Sequence, residues 1–74
     1  MMVFKNGNCM YTQNSIDSVD NYIQRQLQQA GWNFIRTVTP NLRIFSIRHP
    51  SGPQVITLIG VTNQPVCIVL ASGI

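Results

Sequence analysis

Charge is the scarcest property of this 74-residue chain, which has five basic residues and only two acidic ones, Asp17 and Asp20. Its net charge is +3, and 45% of its residues are hydrophobic, which excludes a disordered tail. The length predicts a single domain over residues 1–74 and excludes a multidomain enzyme or a transporter. With two acids available, we expect no ion-pair network.

Cysteine is scarce as well, because only Cys9 and Cys67 are present, near opposite ends of the chain. One pair is no disulfide framework, and the chain start lacks the basic-then-apolar order of a signal peptide. We interpret the cysteines as free thiols in the cytoplasm, with a single disulfide as the alternative. The apolar run 55–71 is interrupted at 62–65 and is shorter than the roughly 20 residues of a spanning helix, so we expect no membrane span.

One amphipathic helix is predicted over residues 15–30. Asn14 or Ser15 can cap its start, and both aspartates lie in its opening turns, where they complement the helix dipole. Gly31 is expected to end it. The apolar stripe recurs at steps of three and four residues and consists of Ile16, Val19, Ile23, Leu27 and Ala30.

From residue 32 onward the hydrophobic period changes to two. The predicted strands are 32–39, 42–48, 55–61 and 66–71, separated by turns at 40–41, 49–53 and 62–65. The fold class is α+β, with one N-terminal helix packed on an antiparallel three- or four-stranded meander sheet in two layers. Its order is α-β-β-β with a fourth strand or short helix at the C-terminus. Residues 1–14 are expected to be an N-terminal extension with a turn at 5–8, and residues 32–71 to form the meander.

The predicted meander has two apolar faces, and one helix can cover only one of them. Closing the first hairpin at 40–41 puts Phe34, Phe45 and Ile47 on one face, together with Arg36 and Arg43. The expected second face contains Ile35, Leu42, Ile44, Ile56, Leu58 and Val69. Because such a patch is rare on a soluble monomer, we expect these six residues to bind a second copy or another protein partner.

A family resemblance lies in residues 27–52, where a leucine and Ala-Gly-Trp end the helix, an arginine follows in a strand, and His-Pro precedes a polar turn. The matching residues are Leu27, Ala30, Gly31, Trp32, Arg36, Ile44, Phe45, His49, Pro50 and Gly52. This stretch resembles the HicA-type mRNA interferase toxins. The resemblance implies a double-stranded-RNA-binding-like α-β-β-β-α fold and RNA as a partner.

The chain also departs from that family. The Gly-Ser-His turn that carries the family's catalytic histidine falls at 40–42, where Leu42 replaces the histidine. The resemblance therefore implies no RNA cleavage, which needs an imidazole to move protons. Residues 66–74 read as a strand where the family has a second helix, and residues 1–14 have no counterpart.

The predicted nucleic-acid-binding residues are Arg36, Arg43, Arg48 and His49. Arginine binds phosphate bidentately, and the aromatic residues of the same hairpin can stack on unpaired bases. The alternative interpretation is that the arginines are gatekeepers that protect an apolar sheet from aggregation, and that His49 is a turn residue.

Two chemical sites are alternatives to this binding role. Cys9 and His49 can supply the thiol and the base of a minimal hydrolase, although no third orienting group stands out. No paired cysteine spacing or phosphate-binding glycine loop exists, so we expect neither a metal nor a cofactor. The sequence therefore predicts a non-enzymatic binding module for RNA or a cognate protein. The alternative is a homodimeric or partner-binding inhibitor of a larger complex, of the kind that phages and plasmids encode.

Overall fold

The computed structural model describes residues 3–72, which form one antiparallel sheet and one helix. The elements are β1 (Phe4–Asn6), β2 (Cys9–Thr12), α1 (Ile16–Ala30), β3 (Asn33–Thr39), β4 (Leu42–His49), β5 (Gly52–Ile59) and β6 (Val66–Ser72). The six strands lie in the order β1-β2-β6-β5-β4-β3. The prediction of a three- or four-stranded sheet is therefore wrong, since most of the described chain is sheet.

The two strands that were missed come from the expected N-terminal extension. Gly7 adopts a φ of 64°, which lets the chain reverse between β1 and β2 in the Asn-Gly turn. The β1-β2 hairpin then extends the sheet, because β2 pairs with β6 from Met10↔Ile68 to Thr12↔Val66. The pairing partner of β2 thus lies at the far end of the sequence, beyond the reach of any local pattern.

The helix begins and ends where its capping residues predict. Ser15 is the N-cap, and its Oγ accepts a hydrogen bond of 3.2 Å from the backbone N–H of Ser18. Gly31 follows the last turn in the left-handed conformation, with a φ of 75°, and its N–H donates to the carbonyl of Gln28. The predicted helix is therefore present, and it begins at Ile16, one residue after the predicted start.

A single hydrophobic core lies between α1 and one face of the sheet. Its buried members are Val19, Ile23 and Leu27 from the helix and Phe45, Ile47, Leu58, Val66 and Ile68 from the sheet. The helix supplies them at a spacing of four residues, and the strands supply alternate residues. On the opposite face of the sheet, no helix is formed by the described residues. Within residues 3–72, no helix has both the length and the apolar character needed to cross a membrane.

The strand registers explain which residues reach the core. The β3-β4 register is the predicted one, with Arg36 opposite Phe45. The β4-β5 turn contains only residues 50–51 instead of the predicted 49–53, and Phe45 lies opposite Ile56, so Ile56 is on the helix face and not on the predicted open face. A one-residue slip exchanges the faces of a strand. The β5-β6 register also differs by one residue from the predicted one, since Leu58 pairs with Ile68. The two differences cancel, so the residues of β6 lie on the faces predicted for them, with Val69 on the face opposite α1.

Candidate functional site

The face of the sheet opposite α1, here called the open face, is largely apolar. One row of paired residues crosses all six strands and contains Phe4, Tyr11, Cys67, Ile59, Leu42 and Thr39. The same face carries Val69, Val55, Ile44 and Ile35 in the neighbouring rows. Phe4 stacks on Tyr11, with ring centroids 5.8 Å apart, and so extends the apolar surface to the β1 edge.

The predicted partner-binding residues divide between the two faces. Ile35, Leu42, Ile44 and Val69 lie on the open face, as expected. Leu58, in contrast, is completely buried against α1, and Ile56 packs against the same core. Their assignment to the open face was wrong, because the two-residue β4-β5 turn shifts β5 by one position. Val55 and Ile59 take their places.

Charge is almost absent from the open face. Neither aspartate lies on it, and among the described strand residues Arg48 is its one cation. Arg48 lies at one corner, beside a shallow groove of about 760 Å³. On the open side the groove is lined by Asn33, Ile35, Ser46, Arg48, Pro53 and Val55. The site is therefore a broad apolar surface with a polar, basic corner.

Arg36 and Arg43 lie on the other face, where they bind the aspartates of α1. Asp20 accepts two hydrogen bonds of 2.8 Å from Nε and Nη2 of Arg36. Its Oδ2 also accepts from Nη1 of Arg43 at 2.6 Å. Arg43 donates further to Oδ1 of Asp17 at 2.9 Å and to the carbonyl of Thr39 at 2.8 Å. The expectation that two acids form no ion-pair network was wrong.

The network holds Asp20, Arg36 and Arg43 in their charged forms. Burial favours a raised pKa for Asp20, which is 1% exposed. Hydrogen bonds from Arg36 and Arg43, with a third from Gln24, outweigh burial and hold its pKa below the ordinary value of 3.8. The pKa values of both arginines are raised in turn by their hydrogen bonds to Asp20. Helix-dipole compensation, the role expected for Asp20, is thus secondary to this buried pairing.

The four residues predicted to bind nucleic acid are not brought onto one surface. Arg36 and Arg43 are paired on the helix face, whereas Arg48 points to the open face. His49, the next residue, lies on the helix side of the sheet, where its ring packs against Trp32 in a T-shaped arrangement with ring centroids 4.3 Å apart. Its Nδ1 accepts the backbone N–H of Ser51 at 3.1 Å, so His49 also fixes the β4-β5 turn.

The cysteine chemistry differs from the expectation. Cys9 of β2 and Cys67 of β6 form a disulfide across the open face, with their Cα atoms 5.2 Å apart. The interpretation as free thiols was wrong, and Cys9 has no thiol with which to act as a nucleophile beside His49. Among the described residues, no group of three metal-ligating side chains comes together.

Comparisons with protein-family models, with curated proteins and with solved structures each found no match. The resemblance to the HicA-type toxins therefore stays a prediction from residues 27–52.

Proposed function

We propose that the protein is a non-enzymatic binding module that acts through the open face of its sheet, with a second copy of the chain as its first partner. The observation that carries this proposal is the largely apolar row that crosses the sheet, over which residues 3–72 place no helix. Ile35 and Ile59 on this face are 74% and 38% exposed. Surfaces of this kind on small proteins serve as contact sites for other macromolecules.

The size of the open face suits a protein partner. Six strands spaced about 4.8 Å apart are about 24 Å wide, and a seven-residue strand is about 23 Å long, which gives a footprint of about 550 Å². A stable interface takes about 800 Å² of accessible surface from each partner, and accessible surface exceeds the flat footprint because side chains project from it. The face is thus large enough for one standard interface.

The electrostatics of the face favour a second copy over nucleic acid. A nucleic-acid surface needs several cations facing the phosphates, whereas this face presents Arg48 alone among its described residues. An apolar surface without acids is complementary to another apolar surface, and the same face of a second copy supplies one. RNA binding by Arg48 and the other exposed bases stays a separate prediction, to be tested in parallel.

The disulfide bears on where the protein works. A cytoplasmic location was expected from free thiols, but Cys9 and Cys67 are bonded. Disulfides form and persist in oxidising compartments and on cell or virion surfaces. We therefore propose such a compartment in place of the cytoplasm. Mass measurement of alkylated protein from its native source, with and without reductant, tests this: alkylation without reductant would contradict the proposal.

Light scattering and sedimentation of three proteins test the proposed function: the natural chain, Ile59→Lys and Val61→Lys. Ile59 lies in the apolar row, whereas Val61 lies outside the strands and is 59% exposed, so it is a matched control. We expect a dimer for the natural chain and for Val61→Lys. Ile59→Lys should raise the dissociation constant about 100-fold, because it buries an unpaired charge in the interface.

The other possible outcomes of these measurements also test the proposed function. If the natural chain is a monomer, affinity capture with Ile59→Lys as the control reveals a different protein partner through the same face. A monomer that captures no protein in this comparison contradicts the proposal. A gel shift with single-stranded and structured RNA runs beside it, and RNA binding by a monomer would move the function to the nucleic-acid alternative.

A further inference from the structure

The two outer strands of the sheet are protected unequally. Edge strands expose unpaired backbone groups, and proteins blunt them by short length, lysine, proline or bulges. The β1 edge is three residues long and carries Lys5. The β3 edge is seven residues long, and within Asn33–Thr39 it has neither proline nor lysine. An unprotected edge of this length is a template for adding another strand.

The single charge of β3 does not guard its edge. Arg36 is turned onto α1, where both of its bonded nitrogens lie 2.8 Å from the oxygens of Asp20. Meanwhile Ile35 is 74% exposed, the most exposed large apolar side chain in the described chain, and Val38 is 48% exposed. The exposed apolar side chains and the open backbone therefore coincide on one strand.

We propose that β3 pairs antiparallel with β3 of a second copy, so that two sheets join edge to edge around a two-fold axis perpendicular to the sheet. Antiparallel pairing of identical strands is closed by its own symmetry, because each copy offers the same edge to the other. The partner must present an extended apolar segment with free backbone groups, and β3 of the same protein is such a segment.

The side chains select the register of this pairing. Centring the axis on Ile35 pairs Ile35 with Ile35 of the second copy, and sets Val38 opposite Trp32 of the second copy. Both are apolar cross-strand pairs of the kind that stabilise a sheet. Centring the axis on Arg36 instead sets Ile35 opposite Thr37 of the second copy, so the pair between the two isoleucines is lost. The Ile35 register is therefore the one expected.

This contact is independent of the proposed open-face contact. The edge contact uses the outward backbone N–H and C=O groups of β3, whereas open-face packing uses side chains, among them that of Ile35, and leaves those backbone groups unpaired. The edge axis is perpendicular to the sheet and a face-to-face axis lies parallel to it. Both contacts can therefore occur in one closed assembly of four chains.

Amide hydrogen exchange, followed residue by residue in NMR spectra, tests the proposal. In an isolated copy every second N–H of β3 points away from β4 and exchanges rapidly, since it has no ladder partner. Raising the concentration from about 10 μM to about 1 mM should slow these amides about tenfold or more if the edges pair. Open-face packing alone leaves them fast while the particle mass rises.

Three substitutions distinguish edge pairing from other causes of slow exchange. Val38→Lys places a charge on the edge, on the side away from the open face, and should abolish the slowing. Val61→Lys adds the same charge outside the strands and should preserve it, as should Ile59→Lys. Fast outward amides in the natural chain at all concentrations, or slowing that survives Val38→Lys, would overturn the edge pairing without affecting the open-face proposal.

Discussion

Asp20 of α1 accepts a hydrogen bond of 2.6 Å from Nη1 of Arg43 in β4, and both side chains are buried, at 1% and 7% exposure. Because Asp20 also binds Arg36, one carboxylate serves two guanidinium groups, and Asp17 supplies the second negative charge from the surface. The network fixes the orientation of α1 on the sheet, in addition to the apolar packing below it.

Removing the central charge of this network should be strongly destabilising. Asp20→Asn leaves Arg43 buried without its closest carboxylate, and loss of one partner of a buried pair costs about 3–5 kcal/mol of unfolding free energy. Asp17→Asn is the matched control, because Asp17 is 78% exposed and its loss should cost about 1 kcal/mol or less. Urea denaturation at neutral pH measures both, and equal small losses would contradict the structural role of Asp20.

The lowered pKa of Asp20 predicts the direction of acid destabilisation. The unfolded carboxyl has the ordinary value of 3.8 and the folded one lies below it, so the folded state binds this proton less readily. Its contribution to stability is complete above about pH 5 and is lost as the pH falls through 3.8 towards the folded pKa. Denaturation from pH 7 to pH 2 should show this fall. In Asp20→Asn the fall should be smaller, and an identical pH profile would count against the assignment.

The disulfide should contribute a large share of the stability of so small a domain. It closes a loop with a sequence separation of 58, for which chain entropy gives about 4 kcal/mol as an upper figure. The double substitution Cys9→Ser with Cys67→Ser should therefore lower the melting temperature, and reductant should lower that of the natural chain. Reductant should leave the double variant unchanged. A natural chain insensitive to reductant would contradict the bond.

The placement of the arginines predicts that Arg43 contributes to the stability of the fold and that Arg48 contributes to any RNA binding. Arg43→Gln should cost about 3 kcal/mol or more of unfolding free energy, since it leaves the buried carboxylate of Asp20 without one of its two guanidinium partners. Arg48→Gln should stay within about 0.5 kcal/mol, because Arg48 is exposed. If RNA binds, Arg48→Gln should weaken it in gel shifts while the fold stays intact. RNA binding lost only in a fully folded Arg43 variant would contradict this placement.

The sequence predicted local features well and long-range ones poorly. The capped helix and the first hairpin depend on neighbouring residues. Their predicted bounds agree with the structure to within one residue at each end, and the hairpin has the predicted register. The register of β5 depends on a turn of two residues rather than five, a difference that the pattern at 49–53 does not resolve. The pairing of β2 with β6 has no local signal at all.

One missed feature was within reach of the sequence. The predicted hairpin register already placed Arg36 and Arg43 on the same face as Phe34 and Phe45, the face that a helix covers. A buried cation needs a carboxylate, and the covering helix carries both acids of the chain. That reasoning predicts the network. The open face was predicted from the alternation of the strands, and only its β5 residues were misplaced, because the length of the β4-β5 turn was not resolved.

The join between β2 and β6 also determines how the chain reaches its fold. The hairpins that link β3, β4, β5 and β6 each need only a short loop, so they can assemble early. The β2-β6 ladder must bring together segments from the two ends of the sequence, which is the slowest kind of search in folding. With Cys9 already bonded to Cys67, that search is confined to neighbouring segments. An oxidised chain therefore starts its refolding with the ends tethered, and a reduced chain must find them.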